Sequence, residues 1–223
     1  VGEGRRMRKM VGWLGGLAVG GLFFAGAAVL IWVYVVQNVE QPSYRVVQAD
    51  GKIEVRDYPS LVVAEVVRRG DRKSAVNAGF RPLASYIFGK DRAGDTISMT
   101  APVTQSAEKI AMTAPVTQSA SAGDGQTWTV RFIMPSKYTL ADLPKPGSGD
   151  VTLKNVPAAR RAAIRFSGVA DDASIAAAEA ALRRWLTARG MKADGAATYA
   201  YYNDPFTPGP LRRNEVLIEV DGG

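Results

Sequence analysis

From residue 44 onward, apolar and polar positions alternate in short runs broken by glycine and proline, the pattern of half-buried strands. Tyr44-Arg45-Val46-Val47 and Ile53-Glu54-Val55-Arg56 read as two strands joined through Asp50-Gly51, a hairpin signal. Leu61-Val62-Val63-Ala64-Glu65-Val66-Val67 reads as a third strand. The period then becomes helical. Asp71 can cap a helix whose apolar face is Val76, Phe80, Leu83 and Ile87, and Gly79 and Pro82 inside it should bend it. Further strands are expected at residues 128–134, 151–156, 161–166, 197–202 and 214–220, with a loop at 145–150. Residues 171–189 form the clearest helix. Acids open it, Arg183, Arg184 and Arg189 lie towards its end, and Gly190 stops it; its buried face would use Ile175, Ala178, Leu182 and Trp185 or Leu186. This order predicts an α+β fold of two similar, pseudo-twofold-related halves, each a sheet with one helix. Grooves between helix and sheet would suit an apolar ligand.

Upstream of the alternation the pattern is unbroken. Residues 10–36 carry no charge, and at ~1.5 Å per helical residue they would extend about 40 Å, more than the ~30 Å of a hydrocarbon core. Arg5, Arg6, Arg8 and Lys9 precede this run, and Trp13, Trp32 and Tyr34 flank it as interfacial aromatics do. The expected organisation is a basic cytoplasmic tail over residues 1–9, a transmembrane signal anchor over 10–36 and an extracytoplasmic domain over 37–223. The chain would cross the bacterial inner membrane once, with the main domain periplasmic. Ala25-Gly26-Ala27 has the form of a signal-peptide cleavage site, but a cut there would leave the apolar stretch that follows exposed to water. Gly12, Gly16 and Gly20 form a small-residue strip through which the helix can pack against a membrane-protein partner.

One repeat is literal. Residues 97–107, Ile-Ser-Met-Thr-Ala-Pro-Val-Thr-Gln-Ser-Ala, recur at 110–120 with an offset of 13 and only the second residue changed. One copy is expected to enter the fold and the other to bulge as a loop. The internal prolines suit a sheet edge or strand end.

Composition narrows the chemistry. The chain has no cysteine and no histidine, which removes disulfides, thiolate nucleophiles, Cys/His zinc sites and histidine ligation of haem iron. Of the net charge of +7, +3 falls in the first nine residues and the remaining +4 is spread over the long body, so nucleic acid is not an expected partner. Ser106-Ala107-Glu108-Lys109 fits a Ser-x-x-Lys pattern, but the companion elements of penicillin-recognising enzymes are missing. Asp91 and Asp95 read as a solvated turn, and no motif argues for an enzyme.

Three landmarks occur in order. They are residues 79–89, Gly-Phe-Arg-Pro-Leu-Ala-Ser-Tyr-Ile-Phe-Gly; residues 109–116, Lys-Ile-Ala-Met-Thr-Ala-Pro-Val; and an ending from Tyr202-Asn203-Asp204-Pro205 through Arg212-Arg213-Asn214-Glu215-Val216. Together they resemble the SOUL haem-binding proteins over residues 43–221. The resemblance implies a twisted antiparallel β-barrel of two pseudo-symmetric halves flanked by two α-helices. It also implies reversible, non-covalent binding of haem or a related tetrapyrrole, in a shallow groove between the first helix and the proline-rich loop before the last strand. By position the helix would supply Asn77, Phe80, Arg81 and Ala84. The loop would supply Phe206, Thr207, Pro208 and Pro210, with Arg212 or Arg213 also in reach of carboxylates. Basic residues that other members place here fall on Asn77, Ser85 and Pro208, and methionine positions become Phe80 and Ala84. Tyr86, Tyr199, Tyr201, Tyr202 or a methionine remain as iron ligands in principle. The function expected is a membrane-anchored module that buffers or delivers a haem-like molecule outside the cytoplasm. The alternatives are a scaffold subunit of a membrane complex that keeps the fold without the ligand, and a binder of another apolar effector.

Overall fold

The computed structural model describes residues 39–90, 92, 94, 96–107, 127–203 and 207–221. The expected basic tail and membrane span with Gly12, Gly16 and Gly20, the second repeat copy, Asp91, Asp95 and Phe206 lie outside the described residues. Among the described residues no helix is long and apolar enough to cross a membrane.

Among the described residues nine strands and two helices follow in the order β1 (Arg45–Asp50), β2 (Ile53–Tyr58), β3 (Leu61–Arg69), α1 (Arg72–Ile87), β4 (Val103–Ala107), β5 (Thr127–Ile133), β6 (Thr152–Val156), β7 (Ala159–Phe166), α2 (Asp172–Ala188), β8 (Ala193–Tyr201) and β9 (Asn214–Val220). The predicted hairpin is β1–β2, with Gly51 at φ +59°, the left-handed conformation its turn requires. Both helices begin at an aspartate: the Asp71 and Asp171 carboxylates accept from the N–H groups of Ser74 and Ser174 at 2.9 and 2.8 Å.

All nine strands join one antiparallel sheet in the order β1-β2-β7-β9-β8-β4-β5-β3-β6. The expected β-barrel is therefore corrected to an open sheet. β1 and β6 end the ladder and do not pair with each other. β1 is exposed at all six positions and carries a bulge between Val46 and Gln48, so it offers no buried face for a closing strand to complete.

The two-half organisation is present. One unit is β3–α1–β4–β5 and the other β7–α2–β8–β9, meeting where β4 pairs with β8. Each unit borrows an outer strand from the chain leading into the other. β2 precedes β3 but pairs with β7, and β6 precedes β7 but pairs with β3. Pro59-Ser60 and Pro157-Ala158 make the two crossings. Each helix covers its own unit. Leu83, Tyr86 and Ile87 of α1 pack with Ala64, Val66, Val130 and Phe132. Leu182 and Leu186 of α2 pack with Val55, Ala162, Val216 and Ile218. Full burial of such a side chain contributes roughly 1.5–3 kcal/mol.

Gly79 and Pro82 have separate roles in α1. A Cβ at Gly79 would lie 2.9 Å from the Val130 Cβ and 3.1 Å from a Val66 methyl, so glycine lets the helix approach the sheet closely. Pro82 has no N–H for the Ala78 carbonyl, and Arg68 from β3 donates to that carbonyl at 3.3 Å instead. The first repeat copy supplies β4, a central strand, and its Pro102 stands just before the strand where no ladder bond is lost.

Candidate functional site

The outward face of α1 carries two neighbouring rows. Phe80, Ala84 and Phe88 are spaced by four residues, which places them on one line extending about 12 Å at ~1.5 Å per residue. Phe80 is 41% exposed and Phe88 48% exposed, and Ala84 between them is half-buried. Phe80 is held edge-on against Phe132 of β5, with ring centroids 5.3 Å apart, so an anchored ring presents its free side to solvent. The second row is Lys73, Asn77 and Arg81, all exposed. Among the described residues neither Lys73 nor Arg81 has an ion-pair or hydrogen-bond partner. Phe80, expected both on the apolar face of the helix and among the groove residues, stands at the rim of the core. Phe88 and Lys73 were missed, although the four-residue spacing that joins each to the named residues is visible in the sequence.

The proline-rich loop is braced rather than free. Its described part, Thr207 to Arg213, includes a single 3₁₀ turn, Gly209–Leu211. Thr207 is buried, and the Arg212 guanidinium donates to its carbonyl at 2.7 Å. Pro208 and Pro210 are exposed, and Leu211 and the neighbouring Val169 are 70% and 60% exposed. The Gly168 N–H donates to the Gly209 carbonyl at 3.0 Å, which seats the loop on the turn before α2. The same turn meets α1: the Arg72 guanidinium reaches the Ala170 carbonyl at 3.1 Å and Asp172 at 2.8 Å. Residues 168–172 thus lie between the first turn of α1 and the loop, and both candidate surfaces are tied to them.

Arg213 faces into the protein. It donates to the Glu215 carboxylate at 2.7 Å, stacks over the Tyr202 ring at 4.0 Å and reaches Gln41 at 3.1 Å. Glu215 is fully buried and also accepts from Arg56 at 2.7 Å and from the Tyr202 hydroxyl at 2.8 Å. Burial alone would raise the Glu215 pKa. The bonds and charges of Arg56 and Arg213 outweigh it, and the carboxyl stays below its usual range. Tyr202 and Arg213 flank the loop on its two sides, so Glu215 clamps both stems.

The tyrosines are engaged elsewhere. Tyr86 donates to the Pro144 carbonyl at 2.8 Å and Tyr199 to Glu179 at 2.9 Å, while Tyr201 accepts from Arg72 at 2.7 Å. Burial pushes the Tyr199, Tyr201 and Tyr202 phenols up, which disfavours the phenolate an iron ion would bind. Met99 packs against the core beneath α1. A cleft of about 130 Å³ lies elsewhere, lined in part by Glu40, Pro42, Pro59, Met134, Pro135 and Tyr138. It is smaller than the ~300–1,000 Å³ usual for a ligand pocket, and none of the sequence-predicted residues lines it. The α1 rows offer an apolar strip for a macrocycle face and cations for carboxylates. They offer no imidazole for iron.

Comparison with known proteins places this architecture. The SOUL heme-binding protein family matches residues 39–219. Heme-binding protein 2 of Mus musculus is 32% identical over 124 residues, covering 53% of this chain and 56% of that protein. The Homo sapiens protein of the same name is 33% identical over 124 residues, with the same shares. The chain therefore spans about half the length of the curated relatives it matches. Among solved structures, the C-terminal domain of EcmrR aligns with a TM-score of 0.54 at 12% identity, covering 81% of this chain and 99% of that one. A Listeria innocua protein described as a hydrolase aligns at 0.51 with 14% identity, covering 76% and 92%. At such identities these two show the fold alone. With its open two-half sheet and a match across residues 39–219, the chain belongs to the SOUL haem-binding protein family.

Proposed function

We propose that this protein binds haem or a related tetrapyrrole reversibly on the open outer face of α1. The carrying observation is the Phe80–Ala84–Phe88 row, exposed at both phenylalanines, beside Lys73 and Arg81, which have no partner among the described residues, in a chain of the SOUL family. The macrocycle face rests on the apolar row, and the propionates are met by Arg81 and Lys73. Pro208, Pro210 and Leu211 form the second apolar surface, held in place through Gly168. The ligand's iron is not gripped by an imidazole, so affinity comes from ring burial and charge. Residues 10–36 support the further reading that the module is tethered to a membrane and buffers or delivers its ligand on the extracytoplasmic side.

Hemin titration of a body starting at residue 39 tests the site. A saturable shift of the haem absorption band is expected. Phe80→Ala with Phe88→Ala should weaken binding at least 10-fold, and Arg81→Ala by about 3- to 10-fold, since ~1.4 kcal/mol is tenfold. Haem dimethyl ester should bind the parent and Arg81→Ala equally. Absence of saturable binding would remove the carrier reading and leave the scaffold one. For the tether, the full chain should sediment with membranes and a version lacking residues 10–36 should not.

A further inference from the structure

The described repeat copy is deeply built into the sheet. β4 pairs with β5 on one side and β8 on the other, at the seam between the two halves. Gln105 is fully buried, and its side-chain amide donates to the Arg72 carbonyl at 2.9 Å. Thr100 is buried and donates to the Ile133 carbonyl. Ile97 enters the core beneath α1, and its N–H donates to the Ile87 carbonyl at 2.7 Å. Each of these residues recurs 13 positions later, as Gln118, Thr113 and Ile110. So does the whole strand, as Val116-Thr117-Gln118-Ser119-Ala120. The one difference, Ser98 against Ala111, falls at a position that is exposed in the described copy.

Chain length permits either copy in the strand position. With the first in place, residues 108–126 connect β4 to β5. With the second, residues 121–126 would connect them, a segment containing Gly-Asp-Gly and close to ordinary hairpin length. The link from α1 would lengthen by the same 13 residues. Loop-closure cost grows only with the logarithm of length, so the two changes offset each other closely. The strand residues available for these contacts are the same in both copies.

We propose that the β4 position is filled by either repeat copy within one molecule, so that the sheet exchanges between two registers offset by 13 residues. Exchange passes the surplus residues from the far side of β4 to the near side. In one state they follow the strand, and in the other they join α1 to it.

The absence of native cysteine makes the test direct in the full chain. Ser106 stands opposite Thr198, and directly opposed positions bring Cβ atoms to ~4.5–5.5 Å, near disulfide reach. Ser106→Cys with Thr198→Cys, and separately Ser119→Cys with Thr198→Cys, are oxidised and mapped by peptide mass spectrometry. Both pairs should form a disulfide within one chain. A disulfide from the first pair only, or from the second pair only between chains, overturns the proposal. Melting of unlinked variants gives a second readout. Gln105→Ala and Gln118→Ala should each lower the midpoint by less than about 2 °C, and the double variant by about 5 °C or more. A Gln105→Ala loss as large as that of the double variant also overturns it.

Discussion

Asp57 lies on β2 between two arginines, 2.7 Å from Arg160 of β7 and 2.7 Å from Arg45 of β1. The hydrogen bonds from Arg160 and Arg45 hold its carboxyl at about 2, against an ordinary 3.8. The unfolded chain therefore takes up this proton more readily than the folded one. The contribution to stability is complete above about pH 3.8 and is lost as pH falls through about 2. Urea midpoints measured at pH 5 and pH 2.5 should fall more for the parent than for Asp57→Asn. Asp57 is half-buried and solvent still screens its ion pairs, so the difference will be small. At this scale the sequence was readable only in part. Arg56 and Glu215 fall on the polar phase of alternating strands, which reads as solvent-facing, yet both are buried. Alternation identifies one covered face. It does not reveal that Tyr44 and Tyr58 cover the other, with the Arg56 guanidinium 4.4 Å above the Tyr44 ring. Arg213, expected within reach of a ligand's carboxylates, is taken up by the buried Glu215 instead.

Elements were the most legible level. The hairpin, the first helix with its Asp71 cap, the second helix with its Ile175, Ala178, Leu182 and Leu186 face, and the last strand all stand where the periodicity puts them. An exception was the outward part of α1, where Phe80 completes the apolar period in sequence but stays 41% exposed, with its ring edge-on against Phe132. Helix period gives an angle around the axis. How far the sheet reaches under that angle depends on the depth at which the helix sits, and that depth is set by Gly79. Gly79→Ala gains up to about 1 kcal/mol of helix propensity but forces Val130 and Val66 aside, an overpacking cost of about 1–3 kcal/mol. The net result should be a loss of up to about 2 kcal/mol, read as a lower urea midpoint with unchanged helical dichroism.

For the whole molecule, sequence order predicted two halves but not an open sheet, since periodicity names strands without naming their neighbours. The reciprocal strands are the feature most hidden from sequence. β2 completes the half that follows it at a distance, and β6 completes the half already made. Neither half has its full sheet without the other, so unfolding should be a single transition. A body from residue 39 retains Trp128 in one half and Trp185 in the other. Single-tryptophan versions, Trp128→Phe and Trp185→Phe, should report coincident urea midpoints. Midpoints separated by more than about 0.3 M, against typical slopes of ~1–3 kcal/mol/M, would show that the halves come apart independently.

The same reciprocity decides what a shortened chain can be. Cutting away everything before Leu61 looks on paper like trimming a leader and a surface hairpin. It would instead strip Val55 from beneath α2 and Arg56 from beside Glu215, leaving a carboxylate short of a counter-ion in the far half of the sheet. The damage from a cut near the amino end would be felt first at the carboxyl end.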